Sequence, residues 1–270
     1  MTEKRVAIVT GGTRGMGHAM SVALAKAGYI VNAVYHSNQE SALKTEKELQ
    51  EIQPECQVIC GDVSSQKAAE AIVAQVTDKW GRVDVLVNNA GIFDFCYIED
   101  MTEEYLDRIL GINFKSQFFM VKAVIPWMKK NKYGRIVNAS SISGHFADCG
   151  LVGYGASKAA VDMLTKIGAG ELGPYGITVN AYAPGIIHTD MTHAMITERG
   201  DEQVQDLCLQ RFGTPEDAAA LVSFLVSDAA GYITGEIIGV DGGMFKVQNA
   251  YLAYKRAETE QKNITNIRVK

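Results

Sequence analysis

The sequence of 270 residues predicts an α/β fold: one parallel sheet of about seven strands with helices on both faces. Short and almost continuously apolar runs alternate with longer amphipathic segments along most of the chain. Strands without a polar face are typical of a parallel sheet that is covered on both sides. No linker, repeat or low-complexity segment interrupts this pattern, so we expect one doubly wound domain over residues 1–243 and a C-terminal extension over residues 244–270.

Each predicted strand is a run rich in β-branched or other apolar residues that ends at glycine, proline or a polar group. The strands are predicted at residues 5–10, 30–35, 57–61, 83–87, 134–139, 177–181 and 236–240. The first helix follows the first strand because Ala19, Ala23 and Ala27 recur on one side of residues 15–27. Similar helical patterns are found at residues 40–52, 101–130, 151–172 and 215–227.

Residues 186–211 are the exception, because this long segment between a strand and a helix is rich in Thr, Met and Asp. In an open α/β sheet, a loop at the carboxyl ends of the strands usually closes over a ligand. We therefore expect a lid. The alternative is a poorly ordered excursion on the surface.

Composition excludes several classes of function. The net charge of −5 argues against a nucleic-acid surface, and no apolar run approaches the length of a membrane span. The apolar run near the start, residues 6–9, is too short for a signal peptide. Five scattered cysteines indicate reduced thiols, and no histidines or cysteines have the spacing of metal ligands. We expect a cytoplasmic protein that binds no metal, membrane or nucleic acid.

A glycine-rich turn joins the first strand to the first helix. Glycines at this position allow backbone N–H groups to approach a pyrophosphate at the helix N-terminus, which predicts a dinucleotide cofactor. The spacing is GxxxGxG and not the commoner GxGxxG. The residues predicted to contact the cofactor here are Gly11, Thr13, Arg14, Gly15, Met16 and Gly17.

The residues after the second strand indicate which nicotinamide cofactor is used. NAD enzymes place an acidic residue there to hold the ribose 2′-hydroxyl, but this chain has His36 and Ser37 and no carboxylate before Glu40. Arg14 could meet a 2′-phosphate instead, so we predict NADP(H) over NAD(H). Arg14 could equally be a solvated loop residue. Asp62 could bind the adenine amino group or cap the helix that follows.

Tyr154 and Lys158 lie four residues apart, which places a phenol and an ammonium on one face of a helix. A nearby cation favours the ionised phenol, so Lys158 should lower the pKa of Tyr154 and suit it to proton transfer with an alcohol. The pair alone is common on solvated helices.

With these motifs together, the chain resembles the classical short-chain dehydrogenases/reductases over nearly its whole length. The matching motifs, in chain order, lie at residues 10–17, Asp62, residues 88–91, Asn113, Ser141, residues 154–158, residues 184–185 with Thr189, and residues 241–243. The resemblance implies a Rossmann-type fold and hydride transfer between a nicotinamide and a carbonyl carbon.

The resemblance also implies a role for each matching residue. Tyr154 is the expected general acid/base, Lys158 lowers its pKa and holds the nicotinamide ribose, Ser141 binds the substrate oxygen, and Asn113 holds a water in the proton relay. The further residues expected at the cofactor are His36, Ser37, Asp62, Val63, Asn89, Ala90, Gly91, Tyr154, Lys158, Pro184, Gly185, Ile187 and Thr189.

The substrate is expected to meet an apolar and adaptable wall, which favours a bulky hydrophobic ketone or alcohol such as a hydroxysteroid. The predicted substrate-binding residues are Phe93, Phe95, Ser141, His145, Cys149, Tyr154 and Met191. Another branch of the family reduces 3-oxoacyl groups on acyl carrier protein, or acetoacetyl-CoA, and usually carries basic residues for the carrier. The positions that look equivalent here are Lys132 and Tyr175, while Asp94 adds a negative charge.

Two other readings stay open: a sugar or polyol dehydrogenase, and a catalytically silent nucleotide-binding scaffold. The extension after residue 243 is longer than the resemblance implies. Val247, Tyr251 and Tyr254 recur at helical spacing, which predicts an amphipathic helix that packs on a neighbouring subunit or on its own. Like most of the family, the chain is expected to form a homotetramer.

Overall fold

The computed structural model describes residues 4–267, with side chains described up to residue 260. Seven strands form one parallel sheet in the order β3-β2-β1-β4-β5-β6-β7. Their bounds are β1 Val6–Thr10, β2 Ile30–Tyr35, β3 Gln57–Cys60, β4 Val85–Asn88, β5 Gly134–Ala139, β6 Ile177–Pro184 and β7 Ile237–Val240. The predicted doubly wound α/β fold is confirmed.

The strand order creates a crevice at the middle of the sheet. Strand β1 pairs with β2 on one side and β4 on the other, so Ile8 lies opposite both Asn32 and Leu86. The chain leaves β1 in one direction and returns to build the other half of the sheet. Connections that diverge in this way leave a cleft at the carboxyl ends of β1 and β4, where ligands bind in this class of fold.

Helices cover both faces, as the apolar strands require. Their bounds are α1 Gly15–Lys26, α2 Gln39–Ile52, α3 Gln66–Trp80, α4 Glu103–Leu110, α5 Ser116–Asn131, α6 Val152–Leu172, α7 His193–Gln203, α8 Pro215–Leu225 and α9 Tyr251–Ile267. Helices α1 and α8 pack on one face, for example through Met20 and Val222. Helices α3, α5 and α6 pack on the other, for example through Ile72 and Met120.

The helical pattern predicted at residues 101–130 is interrupted around Asn113, as the family resemblance implies. Helix α4 ends at Leu110, a π-helical turn spans Gly111–Lys115, and α5 begins at Ser116. The side chain of Asn113 bonds to the backbone of Ile92, donating to its carbonyl at 3.0 Å and accepting from its N–H at 2.8 Å. A widened turn at this point brings the Asn113 amide to that loop, and this tertiary contact replaces regular helix geometry.

The segment 186–211 is ordered and carries helix α7, followed by a short 3₁₀ turn at Val204–Asp206. Leu207 is buried there against Ile186 and Met244, so the segment packs on the start of the C-terminal extension. This packing is the reason why the segment does not form a loose excursion.

The C-terminal extension contains the predicted helix, but it begins only at Tyr251, so Val247 lies in the turn before it. The hydroxyl of Tyr254 donates to the carbonyl of Cys208 at 2.7 Å and ties α9 to its own chain. Within residues 4–267, no helix is long and apolar enough to cross a membrane.

Candidate active site

The glycine-rich turn lies at the carboxyl end of β1 and is too tightly packed for side chains at key positions. Gly11 has a φ of +62°, and a Cβ atom on Gly17 would lie 2.1 Å from the Gly11 carbonyl oxygen. Helix α1 then begins without a side-chain cap and without an acidic residue in its first turn. Its first N–H groups and the positive end of its dipole therefore suit a phosphate group, which fits the predicted pyrophosphate.

Asn89, directly after β4, holds this turn in place. Its Nδ2 donates to the carbonyls of Thr10 at 3.0 Å and Gly11 at 3.2 Å, and its Oδ1 accepts from the Tyr182 hydroxyl at 2.9 Å. The N–H groups of Asn89 and Ala90 both donate to the Thr10 hydroxyl at 3.0 Å. These bonds join the carboxyl ends of β1, β4 and β6 beneath the glycine-rich turn.

The adenosine side of the cleft has no free carboxylate at the end of β2. His36 and Ser37 are exposed there, and Glu40 is paired with Lys44 at 2.7 Å. Arg14 is exposed at the start of α1. These positions leave a basic group beside the glycine turn and no acid to hold a ribose 2′-hydroxyl.

Asp62 and Val63 follow β3. One carboxylate oxygen of Asp62 accepts from the Ser64 N–H at 2.9 Å, and this bond holds the pKa of the carboxyl below its usual range. Asp62 therefore bonds to the turn before α3 and does not cap that helix. Helix α3 itself is capped by Ser65, which accepts from the N–H of Ala68. Val63 is buried.

Tyr154, Lys158 and Ser141 meet at the carboxyl ends of β4 and β5, beside the cleft. Helix α6 presents Tyr154 and Lys158 on one face, and Ser141 follows β5. Lys158 is buried, its Nζ donates to the Ala139 carbonyl at 2.8 Å, and it lies 5.6 Å from the centre of the Tyr154 ring. Phe93 packs edge-on against the same ring at 5.0 Å.

Burial controls the electrostatics of this group. It raises the pKa of the Tyr154 phenol, against the hydrogen bond with Ser141, and it lowers the pKa of Lys158 to about 8, against the charge of Asp162. The predicted lowering of the Tyr154 pKa by Lys158 is therefore wrong for this structure. The Lys158 ammonium donates to the Ala139 carbonyl, and the removal of the Tyr154 phenol from water is the largest effect on its pKa.

Asn113 lies one step further from the cleft. Its Nδ2 donates to the Ile92 carbonyl and to the Ser157 hydroxyl at 3.2 Å, and Ser157 in turn donates to the Tyr154 carbonyl at 2.6 Å. Both protons of the Asn113 amide are used in these bonds. A water at Asn113 could therefore only donate a hydrogen bond to an oxygen atom of this residue. A Cβ atom on Gly91 would lie 3.2 Å from Asn113 Oδ1 and 3.8 Å from Lys158 Nζ, which shows how closely these elements approach.

The nicotinamide side of the cleft is bounded by residues after β6. Thr189 approaches Gly15 so closely that a Cβ atom there would lie 3.4 Å from its methyl group. Pro184, Gly185, Ile187 and Thr189 all border the cavity that contains Tyr154. The predicted cofactor residues of the glycine turn and of this loop therefore face each other across one cleft.

An open cavity lies above Tyr154 and Ser141, and most of its wall is apolar. Of the predicted substrate residues, Phe93, Phe95 and Met191 lie on the wall, but His145 and Cys149 do not. The His145 ring points to Asp162, 3.3 Å away, and Cys149 is exposed at the surface. The placement of these two residues in the substrate site is therefore corrected.

Sequence reasoning missed Met244 and Phe245, which form part of the cavity wall. Phe245 packs on Phe146 with ring centres 5.4 Å apart. The available signal was topological, because residues directly after β7 must emerge at the same sheet edge as the cleft. Gly242 and Gly243, with φ of +62° and +81°, turn the chain back over the cavity.

The arrangement can move a proton to or from an oxygen on the substrate. A bound nicotinamide cofactor would supply or accept the hydride, held by the glycine turn, Asn89 and Lys158. Tyr154 can donate its phenolic proton to a carbonyl oxygen, and the Ser141 hydroxyl can stabilise the charge that develops there.

Known proteins share both the sequence and the structure. The family described as Enoyl-(Acyl carrier protein) reductase matches residues 11–245. The 3-oxoacyl-[acyl-carrier-protein] reductase of Staphylococcus epidermidis is 39% identical over 88% of this chain and 98% of its own length. The acetoacetyl-CoA reductase of Rhizobium meliloti is 42% identical over 89% and 98%, respectively.

Among solved structures, levodione reductase superposes with a TM-score of 0.84 at 33% identity, covering 88% of this chain and 96% of its own. Because these matches extend over nearly the full length of the relatives and include the sequence, the chain shares more with them than the fold alone. The chain belongs to the short-chain dehydrogenase/reductase family, and it is an oxidoreductase that acts on the CH–OH group of its substrate with a nicotinamide cofactor.

Proposed function

We propose that the enzyme interconverts a ketone and a secondary alcohol on a hydrophobic substrate with NADP(H), and that a 3-oxoacyl thioester is its first candidate substrate. One observation carries the proposal: Tyr154 and Ser141 form the polar floor of a cavity whose walls are apolar. Such a site orients one oxygen and accepts an apolar body around it.

The preference for NADP(H) rests on charge. Arg14 is the basic group beside the glycine turn, and Glu40, the first carboxylate in the chain after β2, is paired with Lys44. We expect Arg14→Ala to raise the KM for NADPH about tenfold and to leave the KM for NADH nearly unchanged. Lys26→Ala, which removes an exposed charge at the other end of α1, is the control. An unchanged KM for NADPH in Arg14→Ala would refute the assignment.

Two features support the thioester. The relatives described above are named for 3-oxoacyl and acetoacetyl thioesters. Asp94, which counted against a negatively charged carrier, forms an ion pair with Arg108 at 3.0 Å, so its charge is balanced. Lys132 and Tyr175 precede β5 and β6 and lie at the sheet edge opposite the cavity. They could therefore serve a carrier only at the cavity of a neighbouring subunit.

A hydroxysteroid is the second candidate, favoured by the breadth of the aromatic wall. Phe93 and Phe95 on one side and Phe146 and Phe245 on the other present flat apolar surfaces that suit fused rings. A sugar would need several polar partners, and most of the surface of this wall is apolar.

A substrate panel tests the proposal. Oxidation of NADPH is followed with acetoacetyl-CoA, longer 3-oxoacyl thioesters, oxosteroids and keto-sugars, with NADH in parallel. We expect turnover with the thioesters and none with the sugars. Tyr154→Phe should lose turnover and keep its affinity for NADPH, because only the proton donor is removed. Comparable activity in that variant would disprove the mechanism.

We also propose a cytoplasmic homotetramer. The five cysteines are free, which supports a reducing compartment. Large apolar side chains are exposed on α5 and α6, including Phe118, Met163 and Ile167, and such surfaces usually meet another subunit. The mass of the particle in solution tests this assembly.

A further inference from the structure

A buried carboxylate lies directly behind the catalytic lysine. Asp162 follows Lys158 by four residues on α6, so both project from the same side of the helix. Only 6% of Asp162 is exposed, and its Oδ1 has no hydrogen-bond partner within the described part of the chain. Burial of an incompletely paired carboxylate is unfavourable, so its presence calls for a compensating role.

Asp162 contacts the turn that carries Ser141. Its Oδ2 lies 3.3 Å from Nε2 of His145, at the end of that turn. A Cβ atom on Gly144 would lie 3.0 Å from the same oxygen, so the turn lies directly against the carboxylate. A Cβ atom on Gly155 would lie 2.9 Å from the Ser143 carbonyl oxygen, so α6 and the turn also meet at the level of Tyr154.

The position of this turn determines the position of the Ser141 hydroxyl. Oγ of Ser141 accepts from the Ser143 N–H at 3.2 Å, and the 3₁₀ turn Ile142–Gly144 follows at once. If the far end of the turn moved away from α6, Ser141 would move relative to Tyr154. Small displacements of a catalytic hydroxyl reduce its effect strongly.

The same carboxylate acts on Lys158 through its charge. It opposes the effect of burial on the lysine, whose pKa nevertheless falls to about 8. Burial raises the pKa of Asp162. The hydrogen bond with the Ser140 hydroxyl and the charges of His145, Lys166 and Lys158 lower it. The side chains of Lys166 and His145 are exposed, and that of Lys158 is buried.

We propose that Asp162 is a positioning residue: its carboxylate holds the Ser141 turn against α6, on the side of the helix that also carries Lys158. The inference rests on the proposed reductase function and adds a residue that touches neither the oxygen of the substrate nor the hydride. Asp162 acts through Ser141 on one side and through Lys158 on the other.

The experiment compares Asp162→Asn with Glu171→Gln, an exposed carboxylate removed from the same helix. The kcat and KM of the full-length enzyme are measured across about pH 6 to 10 with NADPH and the best ketone of the panel. We expect Asp162→Asn to lower kcat about tenfold with an unchanged KM for NADPH. Its descending alkaline limb should move to lower pH, because a lysine without this carboxylate loses its proton earlier. Glu171→Gln should match the wild type.

Two further variants separate the roles. Asp162→Glu should restore the alkaline limb, because it restores the charge. His145→Gln should lower kcat without moving that limb, because it loosens the turn and leaves the carboxylate in place. An alkaline limb that stays in place in Asp162→Asn would overturn the effect on Lys158.

A second measurement needs no substrate. Asp162→Asn should speed backbone hydrogen exchange in the peptide that covers residues 142–146, whereas Glu171→Gln should not. Unchanged exchange would overturn the positioning of the turn. If the wild type reduced no ketone of the panel while the exchange rates changed as expected, the proposed function would fail and the positioning would stand.

Discussion

Loss of one hydroxyl, that of Tyr182, should weaken cofactor binding from outside the cofactor cleft. Tyr182 is fully buried in β6, and its hydroxyl donates to Oδ1 of Asn89 at 2.9 Å. Nδ2 of Asn89 holds the carbonyls of Thr10 and Gly11, the first residues of the glycine turn. Tyr182→Phe keeps the ring and removes only the donor, so the Asn89 carbonyl loses its partner.

The magnitude follows from the burial of this carbonyl. An unsatisfied buried acceptor costs about 1–3 kcal/mol, and water replaces part of the lost bond because Asn89 is only half-buried. We expect the free energy of unfolding to fall by about 1–2 kcal/mol. If about half of that loss falls on the geometry of the glycine turn, the Kd for NADPH rises about three-fold.

Urea unfolding and a fluorescence titration with NADPH measure the two effects. Tyr29→Phe is the matched control, because its buried hydroxyl donates to the Val226 carbonyl at 3.2 Å, away from the cleft. The control should lose stability and keep its Kd. If Tyr182→Phe lost stability with the same Kd for NADPH as the wild type, the coupling through Asn89 would be refuted.

Three other outcomes follow from the cavity and the extension. Phe245→Ala should raise the KM for long or fused-ring substrates several-fold and leave that of acetoacetyl-CoA unchanged, because only the outer wall is lost; equal changes for both would contradict this role. Lys158→Met should abolish turnover yet raise the free energy of unfolding by up to about 3 kcal/mol at pH 7. The pKa of Lys158 is about 8 in the folded state and 10.5 in the unfolded state, so the free energy of unfolding of the wild type should rise between these pH values. The difference in this free energy between Lys158→Met and the wild type should therefore become smaller over the same range. Urea unfolding at several pH values checks this sign. Removal of the residues after Lys246 should dissociate the proposed tetramer, and an unchanged mass in light scattering would show that α9 packs only on its own subunit.

The sequence was sufficient for the sheet and for the chemistry of the site, because both depend on local patterns. Strands buried on both faces have an unmistakable apolar run, and β2 and β5 match their predicted bounds. The spacing of Tyr154 and Lys158 required only a helix, and α6 supplies it. Features of this kind follow from hydrophobic period and residue type alone.

What could not be predicted depends on contacts between distant residues. The partner of Asn113 at the π-helical turn is the backbone of Ile92, 21 residues earlier in the chain. Burial, which only the folded structure reveals, reversed the expected direction of the Tyr154 pKa. His145 was placed in the substrate site by its position in the chain, whereas its ring turns to Asp162 on another element.

Bonds from the turn after β7 and from helix α9 hold the segment that follows α7. The N–H of Leu209 donates to the Gly242 carbonyl at 3.1 Å, the Cys208 thiol to the Gly243 carbonyl at 3.4 Å, and the Tyr254 hydroxyl to the Cys208 carbonyl. A ligand or subunit that immobilises α9 therefore also restrains the segment after α7, where Leu207 packs on the cavity residue Met244. By linkage, substrate affinity and the freedom of the end of the chain depend on each other. The rate at which a protease cuts α9 should therefore change when a ligand occupies the substrate cavity, although the described part of α9 does not line that cavity.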